Sequence, residues 1–96
     1  MSAKVNIRLL GVFRGISGKS QVTLEIEHPT VRKVLRKLAD SLPPEAKQLL
    51  LDSEINCFLP NTIVLVNGKE IGVLKGLETK VKDEDEVVLI PVSHGG

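Results

Sequence analysis

The sequence predicts an α+β domain in which a mixed sheet of four to five strands carries one main helix on one face. Three observations support this fold class. Alternating apolar residues predict the first two strands, an amphipathic helix follows them, and 96 residues are the length of one domain. Hydrophobic residues make up 42% of the chain, which argues against intrinsic disorder. We therefore expect residues 1–96 to form a single domain of two layers.

The first two strands are predicted from alternation. Residues 4–9 and 22–27 each place an apolar side chain at every second position, as in a strand with one buried face. Gly11, Gly15 and Gly18 lie between these strands and predict a loop. Because this connection is short, we expect the two strands to form an antiparallel hairpin.

The main helix is predicted to begin after Thr30, whose hydroxyl can accept a hydrogen bond from an unpaired amide of the first turn. Its apolar stripe has helical spacing and consists of Val31, Val34, Leu35, Leu38 and Leu42. Pro43 and Pro44 end the helix, since the residue before a proline is forced out of helical geometry. A short second helix is expected over residues 45–52.

The rest of the chain is predicted to contain three further strands separated by turns. Irregular structure is expected at 53–61. The strands are expected at 62–66, 69–73 and 87–92, with a tight turn at Asn67-Gly68, one helical turn within 76–82 and a solvated acidic turn at 83–86. The last residues, 92–96, are expected to form a flexible tail.

The third and fifth predicted strands are apolar at every position, unlike the first two. A strand with one solvated face should alternate, so we expect apolar side chains on both faces of these strands. The inward set is Val64, Val66, Val87 and Leu89, and the outward set is Ile63, Leu65, Val88 and Ile90. One main helix covers one face well, so the outward set predicts a binding surface. The alternatives are that the second helix or the 53–61 segment covers this face, or that the strands are merely central.

Charge and composition argue against several classes of function. Lys and Arg number 13 against 12 Asp and Glu, which argues against strong electrostatic binding of nucleic acid. The main helix nevertheless has a basic outer face of Arg32, Lys33, Arg36 and Lys37, which we interpret as solvated, with an acidic partner or RNA as the alternatives. No signal peptide and no apolar run of membrane-spanning length is visible, so we expect a cytoplasmic protein without a membrane partner.

The sequence contains no recognisable catalytic or metal-binding motif. His28 and His94 are far apart, and neither has a ligand partner at a known spacing. Cys57 is the single cysteine, which excludes an internal disulfide, and no general base is evident beside it, so we interpret it as structural. We therefore expect no enzyme activity and neither a bound metal nor a bound cofactor.

The chain ends in Gly95 and Gly96, two residues without a Cβ atom. Such a slim segment can enter a narrow channel and present a bare α-carboxylate. A carboxylate is inert toward acyl transfer, but attack of its oxygen on the α-phosphate of ATP makes an acyl adenylate with AMP as the leaving group. A sulfur nucleophile can then take the acyl group. The alternative interpretation is a frayed terminus.

Four segments carry a resemblance to a known family: Phe13-Arg14 with Gly18, Thr30-Val31, Val66-Asn67-Gly68, and residues 76–91 leading to Gly95-Gly96. In these segments, and over essentially its whole length, the chain resembles the ubiquitin-like sulfur carriers of the MoaD/ThiS superfamily. Its His-Gly-Gly ending is most similar to that of the ubiquitin-related modifier, within a branch that includes the small archaeal modifier proteins. The resemblance implies a ubiquitin-like β-grasp fold.

The resemblance also implies a carrier or modifier rather than a catalyst. A ubiquitin-activating-type enzyme, which consumes ATP, would adenylate Gly96, with Gly95 as its slim neighbour and Ser93 and His94 in the tail. A sulfurtransferase would convert the adenylate to a thiocarboxylate that donates sulfur for tRNA thiolation, and some members of the family also conjugate to lysines of target proteins. The outward set defined above matches the family's docking surface for the adenylating enzyme.

Two features point instead to the small subunit of molybdopterin synthase, which donates sulfur in molybdenum cofactor biosynthesis together with a large subunit. They are Pro91 and residues 76–79. The tails of that branch usually carry two consecutive prolines, whereas here Pro91 is followed by Val92. The resemblance therefore favours the modifier branch, with the molybdopterin role as the alternative.

Overall fold

A mixed sheet and one long helix form the framework of the molecule. The computed structural model describes residues 2–44, 51–52, 57–58 and 62–91. The strands and α-helices in chain order are β1 (Ser2–Leu9), α1 (Val12–Ser17), β2 (Gln21–Glu27), α2 (Val31–Ser41), β3 (Leu51–Asp52), β4 (Cys57–Phe58), β5 (Thr62–Val66), β6 (Lys69–Glu70) and β7 (Glu86–Pro91). Two 3₁₀ turns, Ile71–Val73 and Gly76–Glu78, lie between β6 and β7.

The main sheet has five strands in the order β2-β1-β7-β5-β6. β1 is antiparallel to β2 and parallel to β7, while β5 is antiparallel to both β7 and β6. The predicted hairpin and the predicted mixed sheet are therefore confirmed. β7 is the central strand, which accounts for apolar residues on both of its faces.

The core lies between the sheet and α2. Val5, Ile7 and Leu9 are fully buried on the inner face of β1, as their alternation predicts. Four of the five residues of the predicted apolar stripe, Val31, Val34, Leu35 and Leu38, lie in the helix and are at most 1% exposed. The fifth, Leu42, lies one residue past the end of α2 and is half-buried against the same core. Burying each of these side chains contributes about 1.5–3 kcal/mol, so this contact is the main attachment of α2 to the sheet.

α2 begins and ends where the local sequence signals predict. Thr30 Oγ1 accepts a hydrogen bond from the Lys33 amide at 3.3 Å, which satisfies one unpaired donor of the first turn. At the other end, Leu42 is extended, with φ −100° and ψ 157°, the conformation that a following proline imposes. Both predictions about this helix are confirmed.

Residues 11–18 are not the loop that their glycines predict, since Val12–Ser17 form the short helix α1. Phe13 is 1% exposed and belongs to the core, so a tertiary contact stabilises this segment as a helix. Gly18 ends the helix in the left-handed conformation, with φ 72°, and its amide donates to the Arg14 carbonyl at 3.0 Å. Gly11 and Gly18 therefore flank a helix instead of forming a loop.

The strand expected at 69–73 is shorter than predicted. Only Lys69–Glu70 pair with β5, and Ile71–Val73 then form a 3₁₀ turn. The carboxylate of the last β6 residue accepts a hydrogen bond from the Gly72 amide at 2.7 Å, so a local hydrogen bond competes with strand pairing. The helical turn expected further along the chain is confirmed at Gly76–Glu78.

The segment between α2 and β5 also differs from expectation. Leu51–Asp52, predicted as the end of a second helix, form a strand that pairs with Cys57–Phe58, which were predicted to be irregular. Formation of these two strands depends on contacts between the two segments, and the sequence of either segment alone does not reveal those contacts. The other residues of these predicted segments, 45–50, 53–56 and 59–61, lie outside the described residues.

The acidic turn at 83–86 does more than face solvent. Asp83 Oδ1 accepts from the Lys4 amide at 2.7 Å, and Asp85 Oδ2 accepts from the Lys82 amide at 2.8 Å. Asp85 Oδ1 also accepts from the Asn67 side-chain amide at 2.9 Å. The predicted acidic turn is present, with Asp83 and Glu84 exposed, and its carboxylates also join the starts of β1 and β7 to the end of β5.

Candidate functional site

The two faces of β5 and β7 divide as the sequence predicts. The inward set lies in the core and consists of Val64, Val66, Val87 and Leu89. The outward set lies on the other face, where the strand register pairs Ile63 with Ile90 and Leu65 with Val88. We call these four outward residues the outer apolar patch.

The members of the patch differ in exposure. Ile63 is 37% exposed, and Leu65 and Ile90 are half-buried. Val88 is only 8% exposed, because it lies on the central strand between its register neighbours Arg8 and Leu65. Val88 was expected to present accessible surface, and this expectation needs correction: the other three side chains supply the accessible part of the patch.

Polar residues limit the patch on both sides. Arg8 lies beside it on β1, and Glu70 lies beside it on β6. Further along β1 and β2 the same face is polar, and Thr23 Oγ1 donates to Asn6 Oδ1 at 3.0 Å. The apolar surface is therefore confined to the β5 and β7 half of the sheet. The segments considered as its cover lie mostly outside the described residues.

β7 leads into the predicted C-terminal tail. Pro91 is the last residue of β7, and the Leu10 amide donates to the Leu89 carbonyl at 3.3 Å. The segment after β1 therefore supports the end of this strand. The predicted tail residues Ser93, His94, Gly95 and Gly96 lie outside the described residues.

The basic outer face of α2 has partners within the chain. Arg32 Nε forms an ion pair with Glu78 Oε1 at 2.9 Å, and the ammonium groups of Lys33 and Lys37 donate to backbone carbonyls of β2. Lys33, Arg36 and Lys37 are exposed, in agreement with the predicted solvated face, and the partners within the chain are an addition to that prediction. A groove between β2 and α2, floored in part by Leu24, was not predicted from the sequence. Two lysines four residues apart, next to an edge strand, are the signal that could have indicated it.

Residues with catalytic or ligating potential are dispersed. Within the described ranges, no three or more His, Cys, Asp or Glu side chains are grouped so as to bind a metal ion. His28 lies between β2 and α2 with a positive φ of 44°, and Cys57 lies in β4. None of the helices in those ranges is long and apolar enough to cross a membrane.

Comparison with known proteins identifies relatives that match nearly the whole chain. The ThiS family model matches residues 7–96. The small archaeal modifier protein 3 of Haloferax volcanii is 31% identical over 94 residues, which cover 97% of this chain and 99% of that protein. Ubiquitin-related modifier 1 of Gallus gallus is 31% identical over 87 residues, which cover 88% of this chain and 83% of that protein.

A solved structure gives the same result for the fold. The solution structure of the small archaeal modifier protein 1 from Methanosarcina acetivorans aligns with a TM-score of 0.87 and 30% identity, covering 100% of this chain and 99% of that one. The predicted ubiquitin-like β-grasp fold is thereby confirmed, with α2 packed against the five-stranded sheet. The chain belongs to the ThiS family of small ubiquitin-like sulfur carriers and modifiers.

Proposed function

We propose that this chain is a sulfur carrier and modifier whose Gly96 is activated by a ubiquitin-activating-type enzyme. The observation that carries the proposal is the outer apolar patch on β7, the strand that leads at Pro91 into the tail. Gly95 and Gly96 follow Pro91 within five residues of sequence, so an enzyme that binds the patch through Ile63 and Ile90 holds the strand to which they are joined. The near full-length similarity to two modifier proteins supports the same role.

The partners supply the catalysis, and this chain supplies its terminal carboxylate. A carboxylate oxygen of Gly96 attacks the α-phosphorus of ATP, and pyrophosphate leaves. The outer sulfur of a persulfide on a sulfurtransferase then attacks the acyl carbon of the adenylate, AMP leaves, and an acyl disulfide forms. A thiol cleaves the S–S bond of this acyl disulfide, which forms a new disulfide with the sulfurtransferase sulfur and releases the thiocarboxylate of Gly96. The resulting thiocarboxylate donates sulfur, and the His94-Gly95-Gly96 ending favours tRNA thiolation as its use. Attack by a lysine amine on the same activated carbonyl would conjugate the chain to another protein.

The patch has the properties of a small, reversible docking surface. Its accessible area comes from three aliphatic side chains, and such a small apolar area suits a transient contact better than a permanent one. Arg8 and Glu70 lie on opposite sides of it and carry opposite charges. Charges of both signs at the rim of an interface fix the orientation of a partner more than they add affinity.

The test uses the full chain with the adenylating enzyme and the sulfurtransferase of its native host, ATP and a sulfur donor. Intact-mass spectrometry is expected to show one oxygen of Gly96 replaced by sulfur. Deleting Gly96, or replacing its neighbour as Gly95→Val, is expected to abolish the conversion while circular dichroism stays unchanged. Conversion of the chain lacking Gly96 would overturn the proposal.

The docking role of the patch is tested separately. Ile63→Glu places a charge on its most exposed member and is expected to lower the rate of adenylation roughly tenfold at limiting enzyme. Thr23→Glu is the matched control, because it adds the same charge at an exposed position on the polar β1 and β2 part of the same face and is not the register partner of Arg8. Equal rates for the two variants would contradict a docking role for the patch.

The molybdopterin role, favoured by Pro91 and residues 76–79, is distinguished by assembly. A constitutive synthase subunit forms a stable complex with a larger subunit, whereas a carrier that serves several enzymes is recovered mainly without one. Purification of the tagged chain from its native host at physiological salt separates the two. We expect the carrier result, and recovery of a stoichiometric complex with one larger subunit would favour the alternative.

A further inference from the structure

β2 is an edge strand with an open side. It pairs with β1 alone among the described strands, at one end of the order β2-β1-β7-β5-β6. The Leu9 amide donates to the Ser20 carbonyl at 2.9 Å, so Leu9 and Ser20 form a hydrogen-bonded pair. In an antiparallel pair every second residue is hydrogen-bonded to the neighbouring strand, and the residues between them are not. The backbone groups of every second residue from Gln21 to Glu27 therefore point away from β1, toward the open side. Such a row of amides and carbonyls is a template for another strand.

Two lysines of α2 cover part of this open side. Lys37 Nζ donates to the Glu25 carbonyl at 3.2 Å, and Lys33 Nζ donates to the Glu27 carbonyl at 3.3 Å. Both carbonyls belong to the row of backbone groups that points away from β1, as the hydrogen-bonding pattern of β1 and β2 requires. We call these backbone groups of β2 the outward row. An exposed ammonium group on a carbonyl is a weak contact that keeps a flexible side chain ordered, so little free energy is lost when a better donor replaces it.

A groove of about 670 Å³ runs beside this edge, between β2 and α2. Its floor includes Ile26, which is buried, and Leu24, which is only half-buried because α2 does not cover it completely. Arg36 lines the wall together with the two lysines. The groove therefore offers an apolar floor to one or two side chains and basic groups around them.

The charges of the groove favour an acidic occupant. Three basic residues line it against two acidic ones, Glu27 and Asp40. Neither acidic residue is free, since both have interactions within the chain. The repulsion between Lys33 and Lys37, four residues apart on one helix, is relieved by an incoming carboxylate.

We infer that the β2 edge and the groove beside it bind an extended acidic segment of a protein partner by strand addition. The amides of the segment replace the two ammonium groups on the Glu25 and Glu27 carbonyls, and its carbonyls accept from the amides of the same row. One or two apolar side chains of the segment cover Leu24. The displaced Lys33 and Lys37 then pair with its carboxylates.

Two other occupants fit these features less well. A second copy of this chain, paired through its own β2, would bring a second Lys33 and Lys37 to the same edge, so like charges would oppose the contact. RNA would match the basic residues, but its phosphates leave the outward amide and carbonyl row and the apolar floor unused. The site also lies two strands away from β7, so it does not depend on the proposed activation of the tail.

The probe is a capped synthetic heptapeptide of three central Val and Ile residues flanked by Asp and Glu, titrated into the full ¹⁵N-labelled chain. We expect amide chemical-shift changes confined to β2 and α2, and slower hydrogen exchange of the Thr23 and Glu25 amides, which belong to the outward row. A peptide with Lys in place of every acidic residue is expected to bind at least roughly tenfold more weakly. Shifts on β5 and β7 alone would overturn the inference.

Two variants separate the contribution of charge to peptide binding from the contribution of backbone hydrogen bonds. Lys37→Glu is expected to weaken binding of the acidic peptide roughly tenfold, and Lys69→Glu on the opposite edge strand β6 is the matched control with no expected effect. Glu25→Pro removes an outward amide without removing a β1 hydrogen bond and is expected to abolish binding. If that variant fails to fold, the hydrogen-exchange pattern of the unmodified chain decides the backbone contribution.

Two further measurements exclude the other occupants. Sedimentation equilibrium of the chain alone is expected to show a monomer, and a dimer lost on Glu25→Pro substitution would overturn the inference in favour of a second copy. An oligouridylate is expected not to compete with the peptide. Binding of the oligouridylate to the same amides, with no binding of the peptide, would overturn the inference in favour of RNA.

Discussion

Gly11 lies directly against Pro91, the last residue of β7: a Cβ atom built on Gly11 would be 2.7 Å from Pro91 Cγ. Gly11 also has φ 57° and ψ −130°, a backbone conformation that residues with a side chain rarely adopt. Space and backbone conformation therefore both require glycine at this position. The contact therefore packs the segment after β1 against the end of β7.

Replacing this glycine is expected to destabilise the protein. In Gly11→Ala the positive φ alone costs about 1–2 kcal/mol, and displacement of Pro91 adds to that loss. The measurement is the free energy of unfolding in urea. Gly15→Ala is the control, because its added Cβ meets nothing within 4 Å and Gly15 lies inside α1, where alanine is favoured by up to about 1 kcal/mol. Equal stability of the two variants would contradict this account of Gly11.

Asn67 is predicted to contribute through both its backbone and its side chain. Its φ is 50°, its Oδ1 accepts from the Glu86 amide at 2.9 Å, and its Nδ2 donates to Asp85 at 2.9 Å. Asn67→Gly permits the backbone conformation but loses both hydrogen bonds, at a cost of about 1–3 kcal/mol. Asn67→Ala also strains the backbone and is expected to lose about 1–2 kcal/mol more.

The order of the two Asn67 variants is the informative result. Thermal unfolding is expected to rank the unmodified protein first, the glycine variant second and the alanine variant last. If the alanine variant is as stable as the glycine variant, the positive φ does not contribute and this interpretation of the turn is wrong.

The cap of α2 is predicted to depend on one hydroxyl. Thr30→Ala removes the acceptor of the Lys33 amide and is expected to cost about 1 kcal/mol, with faster hydrogen exchange of that amide. Thr30→Ser keeps the hydroxyl and is expected to restore most of the stability and the protection. Unchanged exchange at Lys33 in the alanine variant would show that another group caps the helix.

The parts of the fold with local signals could be predicted from the sequence. α2 has an N-cap, an apolar stripe and a proline stop within its own sequence, and β1 and β2 have alternation that no neighbouring element contradicts. α1 could not be predicted in this way. It has six residues, too few for an isolated helix, and its stability comes from burial of Phe13 in a core that the rest of the chain builds.

Prediction of the candidate site from the sequence has the same limit, because the burial of single side chains depends on distant parts of the chain. Broken alternation was enough to predict which residues of β5 and β7 face outward. It could not predict that Val88 is buried, because its central position between β1 and β5 follows only from the pairing of the strands. The groove beside β2 was missed for a similar reason: Lys33 and Lys37 acquire their role from carbonyls on a strand that alternation alone does not identify as an edge.

Neighbouring residues of β5 face opposite sides of the sheet, so the same substitution at two adjacent positions is predicted to change stability by different amounts. Ile63 is 37% exposed on the outer face, and Val64 is 5% exposed in the core. Ile63→Ser should therefore lower stability by at most about 1 kcal/mol. Val64→Ser leaves a cavity and buries a hydroxyl without a partner, which should cost about 2–4 kcal/mol. Urea unfolding of both variants measures the difference. A reversed order would mean that β5 is shifted by one residue, and the outer apolar patch would then lie inside the core instead of on the surface.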